Sequence, residues 1–136
     1  MLRVALCLGL ALALFSPCSR ALDVASFEKL LDASNRGIGN DKGLQAKLSL
    51  LYYFQGVIDT IVGAHDKETG EVYYAGPRKI CLPRAATLTS AVLQAMTEQQ
   101  VRAAERSEAF KAGWKSSNLN LFIFLALTTN YTCAER

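Results

Sequence analysis

The most regular pattern of apolar positions in this chain predicts a long helix that starts at Leu44. Apolar residues recur there at intervals of three and four, the spacing of one helix face, for about five turns. Gly56 falls in the middle, where glycine costs about 1 kcal/mol relative to alanine, and it is interpreted as a point of close approach by a neighbouring backbone. The face expected to be buried in the core consists of Leu44, Leu48, Leu51, Phe54 or Gln55, Ile58, Ile61 and Val62.

Two other segments show helical spacing with polar residues suited to capping. A short first helix is predicted from a cap at Asp23 or Ser26 to about Ser34. A later helix is predicted from a cap at Thr87 to about Gln100, followed by a solvated helix over residues 101–115. This last helix alternates small and charged residues and offers Ala104, Phe110 and Trp114 to the core.

Residues 121–127 are seven apolar residues in succession, and their pattern fits a buried helix or a buried strand. We favour a helix because the other secure elements are helical and an isolated strand would have no sheet to join. Residues 71–75 are short and β-prone, and residues 35–43 are a glycine-rich loop. The predicted fold is therefore all-α, a small compact bundle of four to five helices joined by one disulfide.

The N-terminus has the pattern of a signal peptide. A positive charge at Arg3 precedes an apolar run over residues 4–15, and Ser19 and Ala21 put small residues at the positions that signal peptidase reads. Cleavage is predicted after Ala21, which leaves residues 22–136 as a single domain in the periplasm. An uncleaved N-terminal anchor is the alternative, and Pro17 argues against a lipid anchor on the following cysteine.

Cysteine usage predicts one disulfide in the mature chain. Two of the four cysteines leave with the leader, and Cys81 and Cys133 remain. In an oxidising compartment such a pair closes a loop of about 50 residues, a cross-link worth up to roughly 4 kcal/mol. The rival interpretation, a nucleophilic thiol, would need a base, and His65 is the only histidine.

Composition excludes several classes of function. With 51% hydrophobic and 20% charged residues, the chain is not expected to be disordered. The formal net charge is +3, of which two units belong to leader arginines, so no polyanion-binding surface is implied.

His65 beside Asp66 and Glu68 lacks the ligand count of a zinc site. Glu105 and Glu108 are flanked by Arg102 and Lys111, which indicates surface ion pairs rather than catalysis. No catalytic residue, cofactor or metal is predicted.

An ordered set of short motifs gives the chain a recognisable layout. A tyrosine-rich run at residues 52–59 ends in Gly-Val-Ile-Asp, residues 80–83 read Ile-Cys-Leu-Pro, Thr87 leads a helix, and Cys133 follows an apolar helix. In this order behind a signal peptide, the layout resembles the Rap/Tai family of type VI secretion immunity proteins. The resemblance covers roughly residues 48–133.

The resemblance implies a function as well as a fold. Members of this family are small helical periplasmic proteins, often homodimers, with a disulfide that would correspond to Cys81 and Cys133. They bind and block a cell-wall amidase injected by neighbouring bacteria. The chain is accordingly expected to inhibit such an amidase sterically, without catalysis. The alternatives are a helical adaptor for a resident envelope protein and a small envelope hydrolase.

The surface expected to contact the partner is the insert at residues 64–79, which is polar, punctuated by glycine and fixed at one end by Cys81. Two neighbouring tyrosines are the natural anchors, and the acidic residues could meet a basic or histidine-bearing rim of the amidase. A plain surface loop remains the alternative for each residue. The predicted contact residues are His65, Asp66, Glu68, Glu71, Tyr73 and Tyr74.

Overall fold

Helices dominate the part of the chain that the computed structural model describes, residues 21–37, 39–63, 71–73, 79–82, 88–107 and 113–133. These residues form four α-helices, one short 3-10 helix and one antiparallel hairpin, which confirms the predicted all-α bundle and adds a small sheet to it. The elements are α1 (Val24–Arg36), α2 (Asp41–Gly63), β1 (Glu71–Tyr73), β2 (Lys79–Cys81), α3 (Ser90–Glu105), the 3-10 helix (Trp114–Ser116) and α4 (Leu119–Asn130).

Polar side chains cap the helix starts. Asp23 accepts a hydrogen bond from the Ser26 backbone N–H at 2.7 Å, so the predicted start of α1 is confirmed. The predicted start of α3 is wrong, because the helix begins at Ser90 and its N-cap is Thr89. Both threonines are acceptable caps, and Thr87 itself lies outside the described residues.

Helix α3 is longer than the sequence predicted. It runs without a break to Glu105, so the separate helix expected over residues 101–115 is wrong: its first residues continue α3, Arg106 and Ser107 are not helical, and Trp114 begins the 3-10 helix. Val101 and Ala104 are buried, and their contact with the core continues the apolar face of α3. Arg102 pairs with Glu98 one turn earlier, whereas Glu105 lies 3.5 Å from Lys115. Phe110, Glu108 and Lys111 lie outside the described residues.

The buried face of α2 differs from the predicted one. Ile58, Ile61 and Phe54, one of the two alternatives predicted at its turn, are buried as expected, but the rest of the core face consists of Ala46 and Leu50. Leu44, Leu48, Leu51 and Val62 are instead between 39% and 59% exposed. Both sets have spacings of three and four residues, so periodicity alone could not choose between them. The correct face is the one that the neighbouring helices cover.

Two glycines set the position of α1 against α2. A Cβ on Gly37 would lie 2.4 Å from the Cα of Gly43, and a Cβ on Gly43 would lie 2.1 Å from the carbonyl oxygen of Gly37. The two backbones are therefore in direct contact where the chain turns from one helix into the next. Gly56 has no such role, since a Cβ there would meet nothing within 4 Å, and the predicted close approach at Gly56 is wrong within this chain.

Helix α4 is the most deeply buried element. Leu119, Phe122, Ile123, Ala126 and Leu127 are all 0% exposed, which confirms a buried helix rather than a strand for residues 121–127. Asn118 caps its start. The segment before α1 lies along this end of α4, where the Leu119 N–H donates to the Leu22 carbonyl at 2.8 Å. The segment before the first helix is thus joined to the start of the last helix.

Three polar contacts join the helices around the core. The Tyr53 hydroxyl donates to Asn120 of α4 at 3.0 Å, and the Ser90 hydroxyl donates to the Gln55 side-chain oxygen at 3.0 Å. Lys115 lies 2.9 Å from Glu28 of α1, and this hydrogen bond is the main cause that raises the pKa of Lys115. No described helix combines the length and the apolar character needed to cross a bilayer.

We expect Gly37→Ala and Gly43→Ala to destabilise the protein by about 1–3 kcal/mol, because the added methyl group meets backbone that can move only if the helices separate. Gly56→Ala is the matched control, since the same change in open space on α2 should stabilise the helix by about 1 kcal/mol. Urea unfolding followed by circular dichroism measures all three. Equal effects at the three positions would contradict the close contact.

The cap of α1 predicts a pH dependence. Hydrogen bonds from Ser26 hold the pKa of Asp23 below its usual value of 3.8. The lowered pKa means that the carboxylate stabilises the folded state above about pH 4 and that this contribution disappears as the pH falls through the folded-state pKa. In Asp23→Asn the cap is kept without a titrating group. The stability difference between wild type and variant should therefore change between pH 6 and pH 3, and a constant difference would contradict the assignment.

Candidate functional site

The hairpin carries the predicted contact residues that the structure describes. Glu71 and Tyr73 are the first and last residues of β1, and the register places them opposite Cys81 and Lys79 of β2. The remaining predicted contact residues lie outside the described residues: His65, Asp66, Glu68 and Tyr74.

The hairpin is anchored to the helical body through β2. Ile80 is 0% exposed and belongs to the same core cluster as the helices. The backbone N–H of Cys81 donates to the carbonyl of Tyr131 at 2.9 Å, and Ile80 forms a β-bridge with Thr132. The strand that follows the predicted contact segment is therefore held by the chain that leaves α4.

A disulfide covalently closes the same junction. Cys81 and Cys133 are bonded with their Cα atoms 4.9 Å apart, a separation typical of disulfides. The pairing predicted from the cysteine count is confirmed. Since both sulfurs are used in the bond, neither is a thiol nucleophile in this form of the protein, and both residues are half-buried.

A second surface runs along the first half of α2. Leu44, Leu48, Leu51 and Tyr52, here called the α2 stripe, are 58%, 39%, 45% and 69% exposed. Single exposed apolar residues are ordinary on protein surfaces, but four on adjacent turns of one helix form a continuous patch. Apolar residues on more than one side of α2 are the sequence signal for it, because a single core covers only part of a helix surface.

The α2 stripe borders a groove between α2 and α3 with a volume of about 510 Å³. Leu44 and Leu51 belong to both features, while Ala91 and Ala95 form a wall of small side chains on α3. The walls also carry opposite charges, Lys47 on α2 and Glu98 on α3. Of these two, Glu98 pairs with Arg102, whereas Lys47 forms no ion pair with any described residue. Sequence reasoning missed this groove because it depends on how the two helices pack.

The chemistry available to these surfaces is that of binding. Among the described residues, no three His, Cys, Asp or Glu side chains lie close enough together to hold a metal ion. Within the same part of the chain, every buried side-chain nitrogen or oxygen has a hydrogen-bond partner, so none is left aimed at a missing ligand. The described residues provide a hairpin fixed to the helical body and an exposed apolar face on α2.

No family model matches this chain, and no curated protein or solved structure is significantly similar to it.

Proposed function

We propose that this protein is a periplasmic immunity protein that binds a type VI secreted peptidoglycan amidase and blocks its active site sterically. The observation that carries the proposal is the anchored hairpin. The predicted contact segment leaves α2 after Gly63 and returns at β2, where Ile80 is buried and Cys81 is bonded to Cys133. Both ends of that segment are thus attached to a helical body with a continuous core.

Anchoring matters because a preorganised inhibitor loses little conformational entropy when it binds. Steric inhibition needs no catalytic group and no cofactor from this chain. It needs a few well-placed side chains on a rigid support. Tyr73 and Glu71 lie in β1, which pairs with the anchored strand β2. The resemblance to the Rap/Tai family implies the partner class, a cysteine-dependent amidase that acts on the cell wall, and the predicted signal peptide would bring this chain to the same compartment.

The test looks for a peptidoglycan amidase among the genes next to this one and measures inhibition of that purified enzyme by the mature chain, residues 22–136. The wild type should stop the release of peptides from peptidoglycan at a one-to-one ratio. Tyr73→Ala should weaken inhibition about 30-fold, the effect of losing an aromatic anchor worth about 2 kcal/mol. Leu121→Ala is the control, because it removes an exposed apolar side chain from α4 rather than from the hairpin or the α2 stripe.

Absence of inhibition by the wild type would contradict the proposal and favour the alternative, a helical adaptor for a resident envelope protein. Genetics separates the two functions. Deleting an immunity gene is harmful when the toxin is present, whereas deleting an adaptor gene has an effect that does not depend on the toxin.

We further propose that the α2 stripe and its groove form a homodimer interface. The surface offers an apolar ridge, an apolar groove beside it and opposite charges on the two groove walls. A two-fold axis would place the ridge of each copy at the groove of the other, with Lys47 of one copy near Glu98 of the second. Such self-complementarity is what an isologous dimer requires.

Leu51→Asp should convert the dimer into a monomer, because a carboxylate buried in an apolar interface weakens association by at least about 100-fold. Leu121→Asp is the matched control, since Leu121 has almost the same exposure, 47% against 45%, but lies on α4. Sedimentation velocity over a range of concentrations measures the change. A monomeric wild type, or equal effects of the two substitutions, would refute this interface.

A further inference from the structure

The attachment of the hairpin differs from the attachment of the helices to one another. Fourteen buried side chains form the described core cluster, and Ile80 is the only one of them that a strand supplies. The helices are joined in addition by polar contacts that do not involve the hairpin, among them Tyr53 with Asn120 and Ser90 with Gln55. The helices are therefore joined by many contacts that do not depend on the junction at Cys81.

The hairpin itself is attached to the helical body by few contacts. β1 and β2 are three residues each, and an isolated two-stranded ladder of this length is marginal in water. Among the described residues, β2 is joined to the chain after α4 by the backbone hydrogen bond from Cys81 to Tyr131 and by the bridge between Ile80 and Thr132. The Cys81–Cys133 bond closes the same contact covalently, and both cysteines are only half-buried, so a reductant can reach the junction.

We propose that the Cys81–Cys133 disulfide is a redox latch, whose reduction releases the hairpin and the chain after α4 while the helical body stays folded. The reductant is a dithiol. One of its thiolates attacks a sulfur of the Cys81–Cys133 bond, its second thiol resolves the mixed disulfide, and the dithiol leaves as a cyclic disulfide. Two electrons and two protons pass to the protein, and both cysteines become thiols.

The latch acts on the segment that the proposed function assigns to the partner, and only this consequence rests on that function. A released hairpin loses the preorganisation that makes it an inhibitor, so a dithiol should weaken the hold on the partner. The release itself requires no partner and can be measured on the isolated protein.

The decisive experiment is amide hydrogen exchange of the mature chain, with and without dithiothreitol, resolved by residue. In the reduced protein the Cys81 amide, which donates to Tyr131, should exchange at least ~10-fold faster. Amides of Phe54 in α2 and Phe122 in α4 report on the helical body and should keep their rates. The double variant Cys81→Ser with Cys133→Ser should exchange like the reduced protein whether or not the reductant is present.

Two results would overturn the latch. Unchanged exchange at Cys81 after complete reduction would mean that the ladder and Ile80 suffice to hold the hairpin. Acceleration at Phe54 and Phe122 together with Cys81 would mean that the bond supports the whole fold rather than one element. Titration of the oxidised protein with the amidase of the inhibition test is a separate experiment. Failure to bind there contradicts the proposed function and leaves the exchange result standing.

Discussion

The contact between Gly37 and Gly43 decides which side of the long helix becomes the core. With no side chain at either position, the backbones touch, and α1 can turn back directly onto α2. Helix α2 carries apolar residues on more than one side, so either side could in principle have been covered. The tight turn places Phe27 of α1 against Phe54, their rings 6.0 Å apart, and so selects the face that contains Leu50 and Phe54. The α2 stripe stays uncovered as a direct result.

Much of the fold follows from local signals, and those predictions are the ones the structure confirms. Asp23 ahead of an apolar pattern gives the start of α1, and the parity of the cysteines gives the disulfide. The seven apolar residues from 121 were ambiguous by periodicity, and the helical character of their neighbours resolved them correctly. In each case the deciding information lies within a few residues or in a simple count.

Two of the wrong predictions have a different physical origin, since they concern what one element covers on another. The buried side of α2 depends on the path of α1, and the exposure of Gly56 depends on which helices pass it. The N-cap of α3 is Thr89 rather than Thr87, and the chemistry of two threonines cannot distinguish them. The candidate site follows the same division. Glu71 and Tyr73 could be named from the sequence, whereas the groove beside Lys47 could not, because it exists only between packed helices.

The arrangement of surfaces along α2 explains how one small domain could form a dimer and also bind an amidase. The α2 stripe is centred near Leu48, and the segment that leads to the hairpin leaves the same helix at Gly63. At a rise of 1.5 Å per residue, these points are roughly 22 Å apart along the helix axis. That distance is about two helix diameters, so the α2 stripe is well separated from the point where this segment leaves the helix. The helix between them is buried on its core face at Phe54, Ile58 and Ile61, which favours a rigid spacer over a hinge. The dimer interface proposed at the α2 stripe and the amidase contact proposed for the segment after Gly63 therefore start at separate points of one helix, and the redox latch proposed at Cys81 acts on the second of them.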